Sequence, residues 1–224
     1  MNQPADIGAN VASVLIDTLI ASNQGDHQAF SYNDKRYSYQ DVAALMNRAG
    51  SMVKALGVET GAAVLLLLPA SPAWIASLLG SIKAGAVPLL GAPIDSGALE
   101  QCVATARPAA AVVHEARLSG AERALAAIPR DAVVVVGSDA RGYKSFVDEL
   151  RVQPSWFAAQ PISGNAPALA IWTGSGVRQL SHDDVASFVH GNGQPLGDGD
   201  GTSAEISTAG AMLRAFSRGE SAKL

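Results

Sequence analysis

The stretch AAVLLLLPASPAWIASLLGSIKAGAVPLL (residues 62–90) decides the fold. Ala62 to Leu68 is a continuous apolar run stopped by Pro69, the pattern of a strand buried on both faces of a parallel sheet. Ser71 offers an N-cap and Pro72 the first helical position. Trp74, Ile75, Leu78, Leu79 and Ile82 then recur at helical spacing until Gly85 ends the helix, and Ala86 to Leu90 returns as a strand. Although Pro72 to Ile94 is apolar enough to suggest a membrane span, Lys83 and the prolines Pro72, Pro88 and Pro93 cut it into shorter pieces. A buried helix followed by a strand is expected.

The same alternation runs downstream. Helical patterns at Ala98–Ala106 and Leu118–Ala127 alternate with strand patterns at Ala109–Val113 and Ala132–Val136, which is doubly wound α/β organisation with a mostly parallel sheet. A short helix near Lys144–Leu150 and a strand at Ala168–Trp172 follow. The text Thr173-Gly174-Ser175-Gly176 then leads to a helix over Ser181–His190. Upstream, Asn10 caps a helix carrying Val11, Val14, Leu15 and Leu19, and Asn33-Asp34 has the turn chemistry of a hairpin between His27 and Tyr37. Ser38 and Asp41 form a capping box for a helix whose stripe from Val42 to Leu56 ends at Gly57. The expected division is an α/β domain over 1–191 and a flexible Gly/Asp-rich segment over 192–224, mobile from Asn192 to Ser203 and with a last short helix near Thr208–Phe216.

Composition narrows the function. Hydrophobic residues make up 48% and charged residues 16% of the chain, so it folds around a core. The net charge is −4 and no Lys/Arg cluster is present to neutralise phosphates, which argues against nucleic acid. The lone cysteine, Cys102, reads as a buried thiol in a reducing compartment, and Met1 to Asn10 carries no export signal, so a cytoplasmic location is expected. His27, His114, His182 and His190 are too scattered to argue for a metal. Asp198-x-Asp200 lacks the Gly and Glu that a calcium loop requires at its sixth and twelfth positions, where Ser203 and Ala209 stand. Ser181-His182-Asp183 holds triad residue types, but helix neighbours point about 100° apart and cannot form a relay. No catalytic residue is assigned.

Several segments, in order, resemble the opening of aryl-CoA and acyl-CoA ligases of the adenylate-forming superfamily: Tyr37-Ser38-Tyr39-Gln40-Asp41, Asn47-Arg48-Ala49 and Ala55-Leu56-Gly57-Val58. The strongest likeness is Val64 to Pro72 followed by Leu79 to Pro88, similar to the family's strand, helix and Gly-x-x-Lys-Ala-Gly-Ala stretch. It extends from Asn10 to His182 and implies the first lobe of the family's N-terminal domain, and these packing motifs speak to fold more than to function. In the family, a Ser/Thr/Gly-rich loop ending in Pro-Lys-Gly holds ATP phosphates through backbone N–H groups. Here Thr173, Gly174, Ser175 and Gly176 begin that loop and Leu180-Ser181-His182 matches its end; the Pro-Lys-Gly and about five residues between them are absent. The loop is thus a degenerate phosphate site, with Arg178 the candidate cation.

The resemblance implies ATP, AMP and CoA as possible cofactors, while the scattered histidines and the failed calcium loop predict no metal site. It also implies a chain shortened relative to the family and expected to be inactive in adenylation alone, acting as a binding, regulatory or assembly module. Two alternatives stand beside it: one part of a split AMP-forming acid–CoA ligase for a carboxylic acid, with the opening segments leaning towards aromatic acids, and an unrelated nucleotide- or acyl-binding module. The expected partner is a second copy or another ligase-like chain, with Val185, Phe188 and Val189 either at that contact or in the chain's own core.

Overall fold

The computed structural model describes residues 10–197 and 203–223. Its chain order is α1 (Val11–Ala21), β1 (Gln28–Tyr32), β2 (Lys35–Ser38), α2 (Tyr39–Ala55), β3 (Ala63–Leu67), α3 (Pro72–Lys83), β4 (Val87–Leu90), α4 (Ser96–Ala106) and β5 (Ala110–His114). It continues through α5 (Leu118–Leu125), β6 (Val133–Val136), β7 (Lys144–Ser145), α6 (Phe146–Arg151), β8 (Pro167–Trp172), β9 (Val177–Ser181), α7 (His182–Val189), α8 (Ala204–Ser217) and β10 (Ala222–Lys223). The main sheet has seven strands in the order β7-β6-β5-β3-β4-β8-β9, parallel except for the antiparallel pair β8/β9. The apolar run that opens the sequence analysis is its middle strand. Among the described residues no helix is long and apolar enough to cross a membrane.

The caps hold the elements where the sequence places them. The side chains of Asn10, Ser38 and Ser71 accept hydrogen bonds from the backbones of Ser13, Asp41 and Trp74, and Ser38 with Asp41 completes the capping box. Asn33 and Asp34 both have positive φ, the backbone of the two-residue hairpin turn between β1 and β2. From β3 the chain crosses through α3 to β4 on one side, whereas α4 and α5 carry it back to β5 and β6 on the other side of β3. Right-handed crossovers in opposite directions put α3 on one face and α4 and α5 on the other, so the loops after β3 and β4 part and leave a crevice at the carboxyl edge.

Three differences from the sequence reading arise late in the chain. The expected loop before α7 contains β9, because Leu169, Ala170, Ile171 and Trp172 of β8 pair back onto Leu180, Gln179, Arg178 and Val177. The last helix, α8, is longer than expected and buries Ile206, Ala209, Met212, Leu213 and Phe216 in the core. Beyond it, β10 lies parallel to β1 with Phe30 opposite Ala222, and the Tyr39 hydroxyl donates to the Glu220 carbonyl at 2.7 Å. Of the stretch expected to be mobile, Asn192–Gly197 is placed, with Leu196 buried; 198–202, including the Asp198-x-Asp200 pair, lie outside the described residues.

The face carrying α3 is locked by a buried cation. Lys83, 3% exposed, forms a salt bridge to Asp17 on α1 at 2.7 Å and donates to the Asn47 amide oxygen on α2 at 2.7 Å. Asp17 also accepts from Ser13 at 2.5 Å, and Asn47 donates onward to the Ser155 carbonyl at 2.9 Å. Beside this network α2 and α3 come so close that a Cβ on Gly80 would lie 2.6 Å from the Ala49 Cβ and 2.7 Å from the Gly50 nitrogen. At the other end of α1, His182 is buried, and its Nδ1 accepts the Val11 N–H at 3.1 Å.

These contacts set measurable stabilities. Asp17→Ala leaves the Lys83 ammonium facing Asn47 alone and should lower stability by about 3 kcal/mol. Lys83→Met removes the charge itself, and because Asp17 keeps access to water the loss should be smaller, about 1–2 kcal/mol by urea unfolding. Gly80→Ala should cost about 1–3 kcal/mol, since the methyl group meets backbone. In Gly120→Ala on α5 the methyl meets nothing within 4 Å, so the substitution should stabilise by roughly 0.5 kcal/mol. Burial holds the His182 imidazole below its ordinary value of 6.5, against the pull of Asp183, so the neutral form belongs to the fold. Its contribution is complete above pH ~6.5 and is lost as pH falls from there towards the lower folded value. Urea midpoints at pH 7.5 and 5.5 should therefore fall with acidity, and His182→Asn should flatten the difference.

Candidate functional site

The crevice at the carboxyl edge is a cleft of about 830 Å³. Its walls come from the end of β3 and the loop after it (Leu66 to Ala70), the loop after β4 (Gly91 to Ile94), the start of α5 (Ser119 to Ala121) and the first turn of α8. This is where open parallel sheets of this winding hold ligands, because the crossovers leave in opposite directions and no helix covers the strand ends. The volume lies within the range of small-molecule sites.

Among the described residues two charged side chains line it, Glu205 from α8 and Arg117 from the short 3₁₀ turn Glu115–Arg117 after β5. Glu205 accepts the Gly91 N–H at 3.0 Å through one carboxylate oxygen and the Trp74 indole N–H at 3.1 Å through the other. Burial pushes its carboxyl above the ordinary carboxylate range, although both hydrogen bonds and the charge of Arg117 pull the other way. Gly91 has φ +72°, and a Cβ there would lie 3.0 Å from Ile206 on α8. Glycine thus lets the loop after β4 turn and lets α8 approach. The His114 ring nitrogen accepts the Ala116 N–H at 3.2 Å and holds the turn that presents Arg117. Across the described residues the Arg117 guanidinium has no hydrogen-bond or ion-pair partner; its interaction with Glu205 is through space.

The residues singled out as a phosphate loop lie one strand away. Thr173, Gly174, Ser175 and Gly176 form the turn between β8 and β9, closed by the Thr173 N–H and hydroxyl, which both donate to the Gly176 carbonyl at 3.0 and 3.2 Å. Gly174 takes φ +88°, and Thr173, Gly174 and Ser175 are exposed. Arg178 follows within β9 opposite Ile171, and its guanidinium donates to the Leu196 carbonyl. The structure therefore gathers the four turn residues and sends the arginine elsewhere.

Ser181, His182 and Asp183 do not converge. Ser181 and Asp184 form the capping box of α7, while His182 turns inward to α1. Val185, Phe188 and Val189 are buried in the chain's own core. Cys102 is buried away from the cleft wall, and burial pushes its thiol up to about 11, which makes it a poor nucleophile. Among the described residues no group of three His, Cys, Asp or Glu side chains could hold a metal ion.

The turn singled out from sequence lies at the same carboxyl edge of the sheet as the cleft, but sequence reasoning pointed to neither charged residue in the cleft. Arg117 stands at the carboxyl end of an expected strand, which was the available signal. Glu205 follows a glycine-rich stretch and reads only as an acidic residue near a helix start.

Comparison with known proteins agrees with this architecture. Residues 19–176 match the family model described as AMP-binding enzyme. A 3-hydroxybenzoate–CoA ligase of Aromatoleum sp. (strain CIB) is 35% identical over 78 residues, 35% of this chain and 15% of that protein. A medium/long-chain-fatty-acid–CoA ligase of Mycobacterium tuberculosis (strain ATCC 25618 / H37Rv) is 30% identical over 79 residues, 35% of this chain and 13% of that protein. Among solved structures, an anthranilate CoA ligase in complex with anthranoyl-AMP superposes with TM-score 0.83 at 22% identity, covering 99% of this chain and 45% of that one. A benzoate CoA ligase from Burkholderia xenovorans LB400 gives 0.81 at 15% identity, covering 96% and 45%. The chain thus spans less than half the length of these relatives, and the structural matches establish the fold. Because the family match runs from α1 through the turn after β8, the chain belongs to the AMP-binding enzyme family and has the fold found in the front portion of its acyl- and aryl-CoA ligases.

Proposed function

We propose that this chain is a ligand-binding member of the acyl-CoA ligase group that does not adenylate an acid by itself. The turn after β8 carries the reading. A site that wraps a polyphosphate needs several converging N–H groups and a cation free to reach the phosphates. In this turn the Thr173 N–H and hydroxyl are already committed to Gly176, and Arg178 donates to Leu196. The chain then pairs straight back along β8 as β9, which leaves no length of loop to fold around a nucleotide. The cleft beside it remains large enough for a small organic ligand and supports the binding half of the reading. Carboxylic acids and CoA are the ligand classes proposed, by analogy with the ligases to which the chain is similar. A cytoplasmic setting suits the lone buried thiol.

The purified chain at micromolar concentration, given ATP, labelled pyrophosphate and a panel of aromatic and aliphatic acids, should show no acid-dependent ATP–pyrophosphate exchange. Exchange above the no-acid blank would sink the non-adenylating reading. Exchange that appears only on adding a second ligase-like chain would identify a two-chain ligase instead.

A further inference from the structure

Five large apolar side chains are exposed among the described residues, and three of them, Val147, Val152 and Trp156, fall within one stretch of ten residues. Val147 is 54% exposed, and Val152 and Trp156 are 75% exposed. The two valines stand at either end of α6, whose Phe146 and Leu150 are buried. Between them on the outward side lie Asp148 and Arg151, bonded to each other at 3.0 Å. This stretch is pinned to α2: the Arg48 guanidinium donates to the Leu150 carbonyl at 3.3 Å, and the Asn47 amide donates to the Ser155 carbonyl at 2.9 Å. Phe157 packs on Gly50, where a Cβ would lie 3.0 Å from its ring. A tryptophan presented to water on a pinned backbone has little backbone freedom left to lose on contact, which is the condition of a preformed interface anchor.

We propose that this face joins two copies of the chain about a two-fold axis, with their α6 helices antiparallel across it. The helix is complementary to itself in that register. An axis midway between positions 149 and 150 sets Val147 opposite the partner's Val152 and Asp148 opposite the partner's Arg151, and each pairing occurs twice. The Asp148–Arg151 bond within one chain is exposed at both ends and worth little, so exchanging it for the same bond across the axis costs little. A parallel pairing would instead set like charges together. Trp156, beyond the C-terminal end of α6, lies towards the N-terminal end of the partner's helix. The area also suits a second copy: an exposed tryptophan offers roughly 200 Å², and two such patches with the valines and a polar rim reach the small end of specific interfaces.

Sedimentation velocity on the full chain tests the contact. An interface of that size gives a Kd on the order of 10 μM, so monomer should give way to dimer between about 1 and about 200 μM. Trp156→Ser should raise that Kd about thirtyfold, the effect of losing an interface anchor. Asp148→Arg and Arg151→Asp should each weaken the dimer about tenfold, because each sets like charges opposite one another. Mixed in equal amounts, these two variants should associate more tightly than either does alone, since one presents two cations and the other two carboxylates. A merely structural role for the pair would not produce that recovery. Wild-type chain that stays monomeric over the whole range overturns the proposal, including chain that instead sediments with phosphatidylcholine vesicles and so gives the patch to a lipid surface. A dimer untouched by Trp156→Ser, or a mixture no tighter than its components, overturns it equally.

Discussion

The ammonium of Lys83 is the constraint on which one face of the molecule depends. Lysine is seldom fully buried without partners, and here the cost of removing it from water is offset by one carboxylate and one amide oxygen from two other helices. That geometry sets where α1 and α2 can sit over α3. Asn10 extends the same joint, since its side-chain amide donates to the Ile82 and Lys83 carbonyls while its oxygen caps α1. The last carbonyls of α3 thus gain a second donor from the cap of α1, beside the Gly85 and Gln160 N–H groups that they already accept. From there Val11 reaches His182, so the position of α7 also traces back through α1 to Lys83. The close approach of Gly80 to Ala49 and Gly50 belongs to the same joint: without side chains in the way, α2 and α3 come near enough for Asn47 to reach the ammonium.

The opposite logic governs the carboxyl edge. Glu205 has a raised pKa because burial outweighs its two hydrogen bonds, so near neutral pH its charged form weighs against folding. Groups held in such a state concentrate at functional sites, and this one faces a cleft and an arginine. It also joins three elements: α8, which carries it, α3 through Trp74, and the loop after β4 through Gly91. The helix expected from sequence to be a short terminal piece is therefore part of the cleft wall. In the turn after β8 the Thr173 N–H and hydroxyl close on the Gly176 carbonyl, and the chain turns back immediately as β9.

What the sequence determined by itself is what neighbouring residues decide. The apolar run at Ala62–Leu68, the caps at Asn10, Ser38 and Ser71, and the Asn33-Asp34 turn place most strands and helices, because periodicity and cap chemistry act over a few residues. The order of motifs from Tyr37 to Pro88 also carried the family. The tertiary structure alone decided the rest. Lys83 finds Asp17 and Asn47 across 66 and 36 residues, and Glu205 finds Trp74 and Gly91 across 131 and 114. No local pattern encodes such pairs, since burial and charge compensation exist only once distant elements pack. The same holds for β9 and β10, whose short segments become strands through the partners they meet, Leu169–Trp172 for one and Phe30 for the other.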